Sequence, residues 1–113
     1  MGQNSVSARQ NSALRDNYPI HLLAAEELVV GSQNVVATAN TATDSYTVTL
    51  PPVGPSAGTI ISISAIIANA KAVTVADNND DAGFTDVVLN TTLDNLVLYS
   101  TGIYWRKLFN GEV

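Results

Sequence analysis

The sequence contains no cysteine, and this absence removes two ways in which small domains gain stability. Without thiols the chain can form neither a disulfide framework nor a thiolate metal site. Its 113 residues suffice for one domain with a modest core, since roughly two-thirds of the unfolded surface is buried at this size. We therefore expect its stability to come from packing or from association between copies.

Basic residues are also scarce: five lysines and arginines stand against ten acidic residues, for a net charge of −5. Nucleic-acid binding needs cationic side chains that neutralise phosphates, so we exclude nucleic acid as a partner. No apolar run reaches membrane-spanning length, and the first 19 residues lack the apolar segment of a signal peptide. We expect neither a membrane partner nor export by such a leader.

The recognised motifs of catalysis are missing as well. The sequence has no nucleophile elbow, in which glycines flank a serine, and no glycine-rich loop of the phosphate-binding type. It has one histidine, His21, and therefore no second histidine with which to bind a metal. A nucleophile also needs a neighbouring base, and no motif places such a pair together. We predict a protein that is not an enzyme, with no catalytic residues and no cofactor.

One segment, "DNNDDAGF", has spacing typical of a calcium loop, because Asp77, Asn79 and Asp81 alternate as oxygen ligands do there. Two departures count against calcium: Ala82 stands where the loop needs glycine, and Val88 replaces the glutamate that completes the coordination. Acidic and amide side chains are equally typical of turns between strands. We interpret the segment as a turn and predict no metal site.

Charge divides the chain into an arm and a body. Residues 1–19 carry two basic and one acidic side chain, net +1, while the rest carries three basic and nine acidic side chains, net −6. The arm is rich in serine, asparagine and glutamine, so it is either disordered or laid along a partner. We predict an extended polar N-terminal arm over residues 1–20 and a single β domain over 21–113.

The body has the period of β-strands. "PIHLLAAEELVVGS" fits either a short helix or strands, but "SYTVTL" places Tyr46, Val48 and Leu50 on one face before two prolines end the strand. "TIISISAII" and "KAVTVAD" alternate in the same way and suggest neighbouring antiparallel strands, followed by "TDVVLN", "NLVLYS" and "IYWRKLF". We predict a mainly β fold, a small antiparallel β-sandwich or barrel.

The last two segments predict a hairpin that turns at Gly102. In the closing strand, alternation puts Trp105 on the packed face together with Ile103, Lys107 and Phe109, and puts Tyr104, Arg106 and Leu108 on the other face. Three side chains are expected to act as packing anchors of the domain: Tyr46, Leu50 and Trp105.

The order of these segments, over Ser45 to Phe109, resembles the small β domains of tailed-bacteriophage fibres and capsid decoration proteins. The resemblance depends on the order and spacing of the predicted strands and on five residues: Thr49, Leu50, Pro51, Gly102 and Trp105. It implies a virion component, usually homotrimeric, that docks on a shell or tail. Trimerisation agrees with the physical argument, since short strands leave open sheet edges that three copies around an axis would cover.

The short chain and its separate arm fit a decoration, or cement, protein that binds the outer surface of a phage head and stabilises it. Its partners would be two further copies of itself and the major capsid protein. We expect the basic arm to reach the shell through four residues: Val6, Arg9, Leu14 and Arg15. The alternative is a phage fibre or tail module that binds a host carbohydrate or receptor on an aromatic platform of Tyr99, Tyr104 and Trp105.

Overall fold

The computed structural model describes residues 19–31 and 33–111, which form nine β-strands and no helix. This confirms the mainly β prediction and shows that the ambiguous segment after Pro19 forms strands. The strands are β1 (Ile20–Leu22), β2 (Glu26–Glu27), β3 (Gln33–Ala39), β4 (Tyr46–Thr49), β5 (Ile60–Ile67), β6 (Val73–Ala76), β7 (Val87–Leu89), β8 (Asn95–Ser100) and β9 (Trp105–Asn110).

The first six strands alternate between two sheets. One sheet has the order β1-β3-β5-β8-β9 and the other the order β2-β4-β6-β7. Within each sheet the strands of this first part are parallel: β3 pairs with β1 and β5, and β4 pairs with β2 and β6. Parallel neighbours need a crossover connection, and here the crossover passes through a strand of the opposite sheet. The chain therefore winds in flattened coils, each made of one strand from either sheet.

The last part of the chain reverses direction. β7 pairs antiparallel with β6, β8 with β5, and β9 with β8. Both sheets are therefore mixed, and the prediction of an antiparallel fold is wrong for β1 to β6. The predicted antiparallel pairing of "TIISISAII" with "KAVTVAD" is also wrong, because β5 and β6 belong to different sheets. Alternation identifies the buried face of a strand, but it does not identify the neighbouring strand.

The turn that carries the chain from β5 to β6 explains this error. Asn69 and Ala70 both adopt positive φ, at 58° and 59°. The backbone N–H of Ala68 donates to the carbonyl of Ala39, which holds the start of the turn against β3. Two successive residues with positive φ are typical of a two-residue hairpin turn. Here, however, they direct the chain into the opposite sheet.

The core is formed by the inward-facing side chains of both sheets. β5 shows the rule: Ile61, Ile63 and Ala65 are buried, while Ser62 and Ser64 lie on the outer side. Each fully buried leucine or isoleucine contributes roughly 1.5–3 kcal/mol to folding. The other fully buried positions of the strands follow the same alternation: Val35, Ala37 and Ala39 in β3, Val48 in β4, Val73 and Val75 in β6, Val87 and Leu89 in β7, and Leu96, Leu98 and Ser100 in β8.

Tyr46 connects the two sheets at one end of the core. It belongs to β4, yet its hydroxyl lies 2.8 Å from the carbonyl oxygen of Thr38 in β3 and 3.0 Å from that of Leu22 in β1. The hydroxyl carries one proton and can donate to one of these oxygens at a time. Burial raises the pKa of Tyr46 above its ordinary value, although the hydrogen bond to Thr38 works in the opposite direction. The hydroxyl is thus protonated at neutral pH, as its donor role requires.

Candidate interaction surface

The strand orders place β1 and β2 at one end of the two sheets and β9 and β7 at the other. Contacts between the sheets show that these ends coincide. At the first end, the hydroxyl of Tyr46 in the second sheet donates to the Leu22 carbonyl of β1. At the other end, β9 contacts the segment that precedes β7: the backbone N–H of Trp105 donates to the Asp81 carboxylate, and the Lys107 ammonium donates to the Thr85 carbonyl. Exposed apolar side chains lie at both ends, and at the β9 end they continue onto the outer face of the larger sheet.

The β8–β9 hairpin positions this surface, and its turn confirms the prediction at Gly102. That residue has φ of +95°, in the left-handed region that favours glycine, and a Cβ built there would lie 3.2 Å from the Cβ of Ala57. The Oγ1 of Thr101 accepts the backbone N–H groups of Ile103 and Tyr104, at 3.3 and 3.2 Å. The turn is therefore fixed by both its backbone conformation and its side chains.

A β-bulge changes which residues of β9 face the core. Lys107 lies opposite Leu98 and Phe109 lies opposite Val97, so Leu108 has no residue opposite to it. After the bulge Phe109 shares the outer face with Val97. The predicted packed face is therefore wrong in part: Trp105 is buried, but Phe109 is 54% exposed and Ile103, which lies in the turn, is 77% exposed.

Trp105 is the one residue of β9 whose side chain joins the core, with 5% of its surface exposed. Its backbone N–H points away from β8 and donates to Oδ2 of Asp81 at 2.8 Å. The indole Nε1 is buried and has no hydrogen-bond partner within residues 19–31 and 33–111. The ring thus contributes by packing, and its position is determined by the backbone bond to Asp81.

The segment with calcium-loop spacing folds as a network of turns. The Oδ2 of Asp77 accepts the backbone N–H groups of Asp80 and Asp81, at 3.1 and 3.0 Å. Asp81, only 7% exposed, accepts the N–H of Gly83 with its other carboxylate oxygen, and Asp80 accepts that of Val53. These carboxylates bind backbone amides, as turn residues do. In the described part of the chain, no three histidine, cysteine or acidic side chains lie together as metal ligands would.

The outer face of the larger sheet carries rows of side chains that cross several strands. One row runs from Ile60 to Tyr99 to Arg106, and the adjacent row from Ser62 to Val97 to Phe109. Cross-strand neighbours on one face contact each other, so the four large apolar side chains of these rows form a continuous patch. Contiguous exposed apolar patches of this kind are typical of sites that bind another molecule. The patch consists of Ile60 and Phe109, which are 46% and 54% exposed, and of Val97 and Tyr99 on the strand between them, which are partly exposed.

The structure brings together few of the residues that the sequence singled out. Val6, Arg9, Leu14 and Arg15 lie outside the described residues. Leu50 is fully buried, Trp105 is buried, and Tyr46 is half-buried against the core. Sequence reasoning missed Ile60 and Phe109 as surface residues. Ile60 has the same parity as Ser62 and Ser64, so the alternation of β5 already implied that it faces out, whereas the bulge that exposes Phe109 has no signature in the sequence.

The three aromatic residues suggested as a carbohydrate platform do not share a surface. Tyr99 lies opposite Arg106 on the outer face, whereas Trp105 lies opposite Ser100, and both of these side chains are buried. Tyr104 is exposed in the hairpin turn. Stacking on a sugar requires an accessible ring face, which Trp105 does not offer.

The described residues include no helix that is long and apolar enough to cross a membrane. Comparison of the chain with known protein families, with curated protein sequences and with solved structures gives no match.

Proposed function

We propose that the chain is a virion structural protein, a capsid decoration protein that binds the outer surface of a phage head as a homotrimer and stabilises it. The proposal is supported by the resemblance of Ser45 to Phe109 to phage β domains. The observation that carries it is the apolar outer patch of Ile60, Val97, Tyr99 and Phe109, in which Ile60 and Phe109 are about half exposed in the single chain.

Association explains this surface physically. The described residues enclose a core between the two sheets, so the domain has an interior of its own. The patch lies outside that core, and contact with another protein would remove it from water. Stable interfaces bury about 1,200–2,000 Å² in total, so such a contact would extend beyond the four side chains of the patch. Covering the open edges would also protect them from non-specific strand pairing.

Multivalency explains how such a protein would cement a shell. A trimer presents three arms, and each arm carries Arg9 and Arg15 in a segment of net positive charge. When one arm has bound, the other two are held close to the shell at a high effective concentration. The trimer therefore binds much more tightly than a single arm would. Bridging neighbouring capsid subunits in this way needs no active site, in keeping with the absence of catalytic motifs from the sequence.

The test uses the full chain and phage heads that lack it. We expect the purified protein to have a native mass about three times its 11.9 kDa chain mass, and to co-sediment with the heads until a fixed number of copies is bound. Decorated heads should withstand heating better than bare heads. Saturable binding to isolated tails or to host-cell glycans, without binding to heads, would instead favour the fibre or tail alternative.

A further inference from the structure

The edge strands β2 and β9, at opposite ends of the two sheets, carry charges of opposite sign beside exposed apolar side chains. At the first end, β2 consists of Glu26 and Glu27, both exposed, and the flanking residues Leu23, Val29 and Val30 are exposed as well. We call this surface the acidic edge. It contains three large apolar side chains and no lysine or arginine.

At the other end, β9 carries Arg106 and Lys107, with Ile103, Tyr104 and Leu108 exposed beside them. We call this surface the basic edge. The described part of the chain has one further lysine or arginine, Lys71, and its ammonium group is paired at 2.9 Å with the Asp44 carboxylate. The unpaired positive charge of the described residues is thus concentrated on β9.

One charge of each edge has no partner in the described part of the chain. Among residues 19–31 and 33–111, the side chains of Glu26 and Arg106 make no hydrogen bond or ion pair. Their neighbours are engaged within the chain: Glu27 contacts Asn78, and the Lys107 ammonium donates to the carbonyl of Thr85 at 3.1 Å and lies 5.1 Å from the centre of the Phe84 ring. Glu26 and Arg106 are therefore the charges to test.

We propose that the basic edge of one copy packs against the acidic edge of the next copy, with Arg106 facing Glu26. This assignment rests on the homotrimer of the proposed function and names its subunit interface. A two-fold contact between basic edges would place two Arg106 and two Lys107 side chains together, which like-charge repulsion opposes. A head-to-tail contact uses two different surfaces of each copy, and it closes into a ring when the rotation between copies allows.

The experiment compares four full-length variants with the wild type by sedimentation velocity and native mass spectrometry over a range of concentrations. Glu26→Lys and Arg106→Glu each place like charges across the proposed contact, and each should weaken association about ten- to a hundredfold. The double variant Glu26→Lys/Arg106→Glu restores opposite charges and should recover most of the wild-type association. Far-UV circular dichroism checks that every variant is folded.

Asp86→Lys is the matched control. Asp86 is exposed beside β7, so this change alters the net charge as Glu26→Lys does, but at the end that carries the basic edge. Association should be unchanged or tighter. If general charge, and not a specific contact, governs assembly, then Asp86→Lys will weaken the trimer as much as Glu26→Lys does, and the assignment is wrong.

The remaining outcomes separate the interface from the function. A trimer that resists both single reversals overturns the interface and leaves the decoration role standing. A wild-type protein that stays monomeric yet saturates phage heads overturns the interface and the trimer together, but not head binding. If Glu26→Lys weakens association in the full chain and not after deletion of residues 1–17, then the acidic edge contacts the arm, and the assignment to β9 is wrong.

Discussion

The carboxylate of Asp81 accepts the backbone N–H of Trp105 at 2.8 Å, on the side of β9 that faces away from β8. Among residues 19–31 and 33–111, β9 is the last strand of its sheet, so within them this N–H would otherwise have no partner from a neighbouring strand. Edge strands with free backbone groups invite unwanted pairing. The loop before β7 thus covers the first residue of the open strand and holds the Trp105 backbone while its ring enters the core.

Asp81→Ala should destabilise the fold by about 1–3 kcal/mol, because the buried N–H group of Trp105 loses its acceptor and the N–H group of Gly83 loses its turn hydrogen bond. Urea unfolding monitored by Trp105 fluorescence measures the change. Asp86→Ala is the control, since exposed substitutions change stability by at most about 0.5 kcal/mol. Equal stability of the two variants would show that the Asp81 carboxylate does not hold the strand.

Trp105→Ala should cost about 3–5 kcal/mol, since it removes a large side chain that is 5% exposed and leaves a cavity in the core. Thermal unfolding followed by circular dichroism gives the loss. Tyr104→Ala, one residue earlier in the exposed turn, should leave the melting temperature nearly unchanged. Little loss from Trp105→Ala would mean that the ring is accessible, and carbohydrate binding should then be tested.

Tyr46→Phe should cost about 1 kcal/mol at neutral pH, because it removes the hydroxyl that donates to the Thr38 or Leu22 carbonyl. The pKa of Tyr46 is raised in the folded state above the ordinary 10.0, so the folded state favours the protonated hydroxyl. The stability from this linkage is present below pH 10.0 and is lost as the pH rises through the folded-state pKa. The difference in free energy of unfolding between the wild type and Tyr46→Phe should therefore disappear in strong alkali. Denaturant titrations at several pH values measure this difference. A constant difference across that range would argue against the linkage.

Gly102→Ala should destabilise the hairpin by about 1 kcal/mol or more, because φ of +95° disfavours any side chain and the new Cβ would approach the Cβ of Ala57 to 3.2 Å. Gly54→Ala is the control, since its Cβ would lie 3.8 Å from the nearest atom and its φ is not positive. Comparable melting temperatures for the two variants would contradict the role of Gly102 in the turn.

Deletion of Met1–Asn17 should leave a folded trimer that no longer binds phage heads, because the net positive charge and the predicted contacts of the arm are lost. The matched variant Arg9→Glu/Arg15→Glu keeps the length of the arm and reverses its charge, and it should weaken binding more at low than at high salt. Native mass and co-sedimentation are measured on both proteins. Undiminished head binding by the truncated chain would refute a role for the arm.

Sequence reasoning was reliable where the signal is local. The alternation of Ile61 and Ile63 with Ser62 and Ser64 depends on the two-residue period of a single strand, and the structure follows it. The turn at Gly102 likewise follows from the conformational freedom of one residue. Pairing between strands was not predictable in this way. β5 and β6 would bury the same residues whether they paired as a hairpin in one sheet or lay in two sheets on either side of the core.

The candidate surface was still harder to predict, since it depends on a single irregularity. Without a bulge at Leu108, strict alternation would have placed Phe109 beside Trp105 in the interior. The bulge transfers Phe109 to the outer face, where it completes the patch with Val97. A one-residue shift of this kind moves every later side chain of the strand to the opposite face.

The coiled course of β1 to β6 ends where β8 runs antiparallel to β5. Because β8 runs in the opposite direction, the next strand of the coil could not continue the parallel pairing on that side of β5. The β8–β9 hairpin therefore ends the coil. Growth by duplication is thereby confined to the middle: an extra copy of the unit from Gln33 to Thr59 would find parallel neighbours on both sides and leave either terminus intact. Insertion of such a unit would lengthen the coil without any change at its two ends.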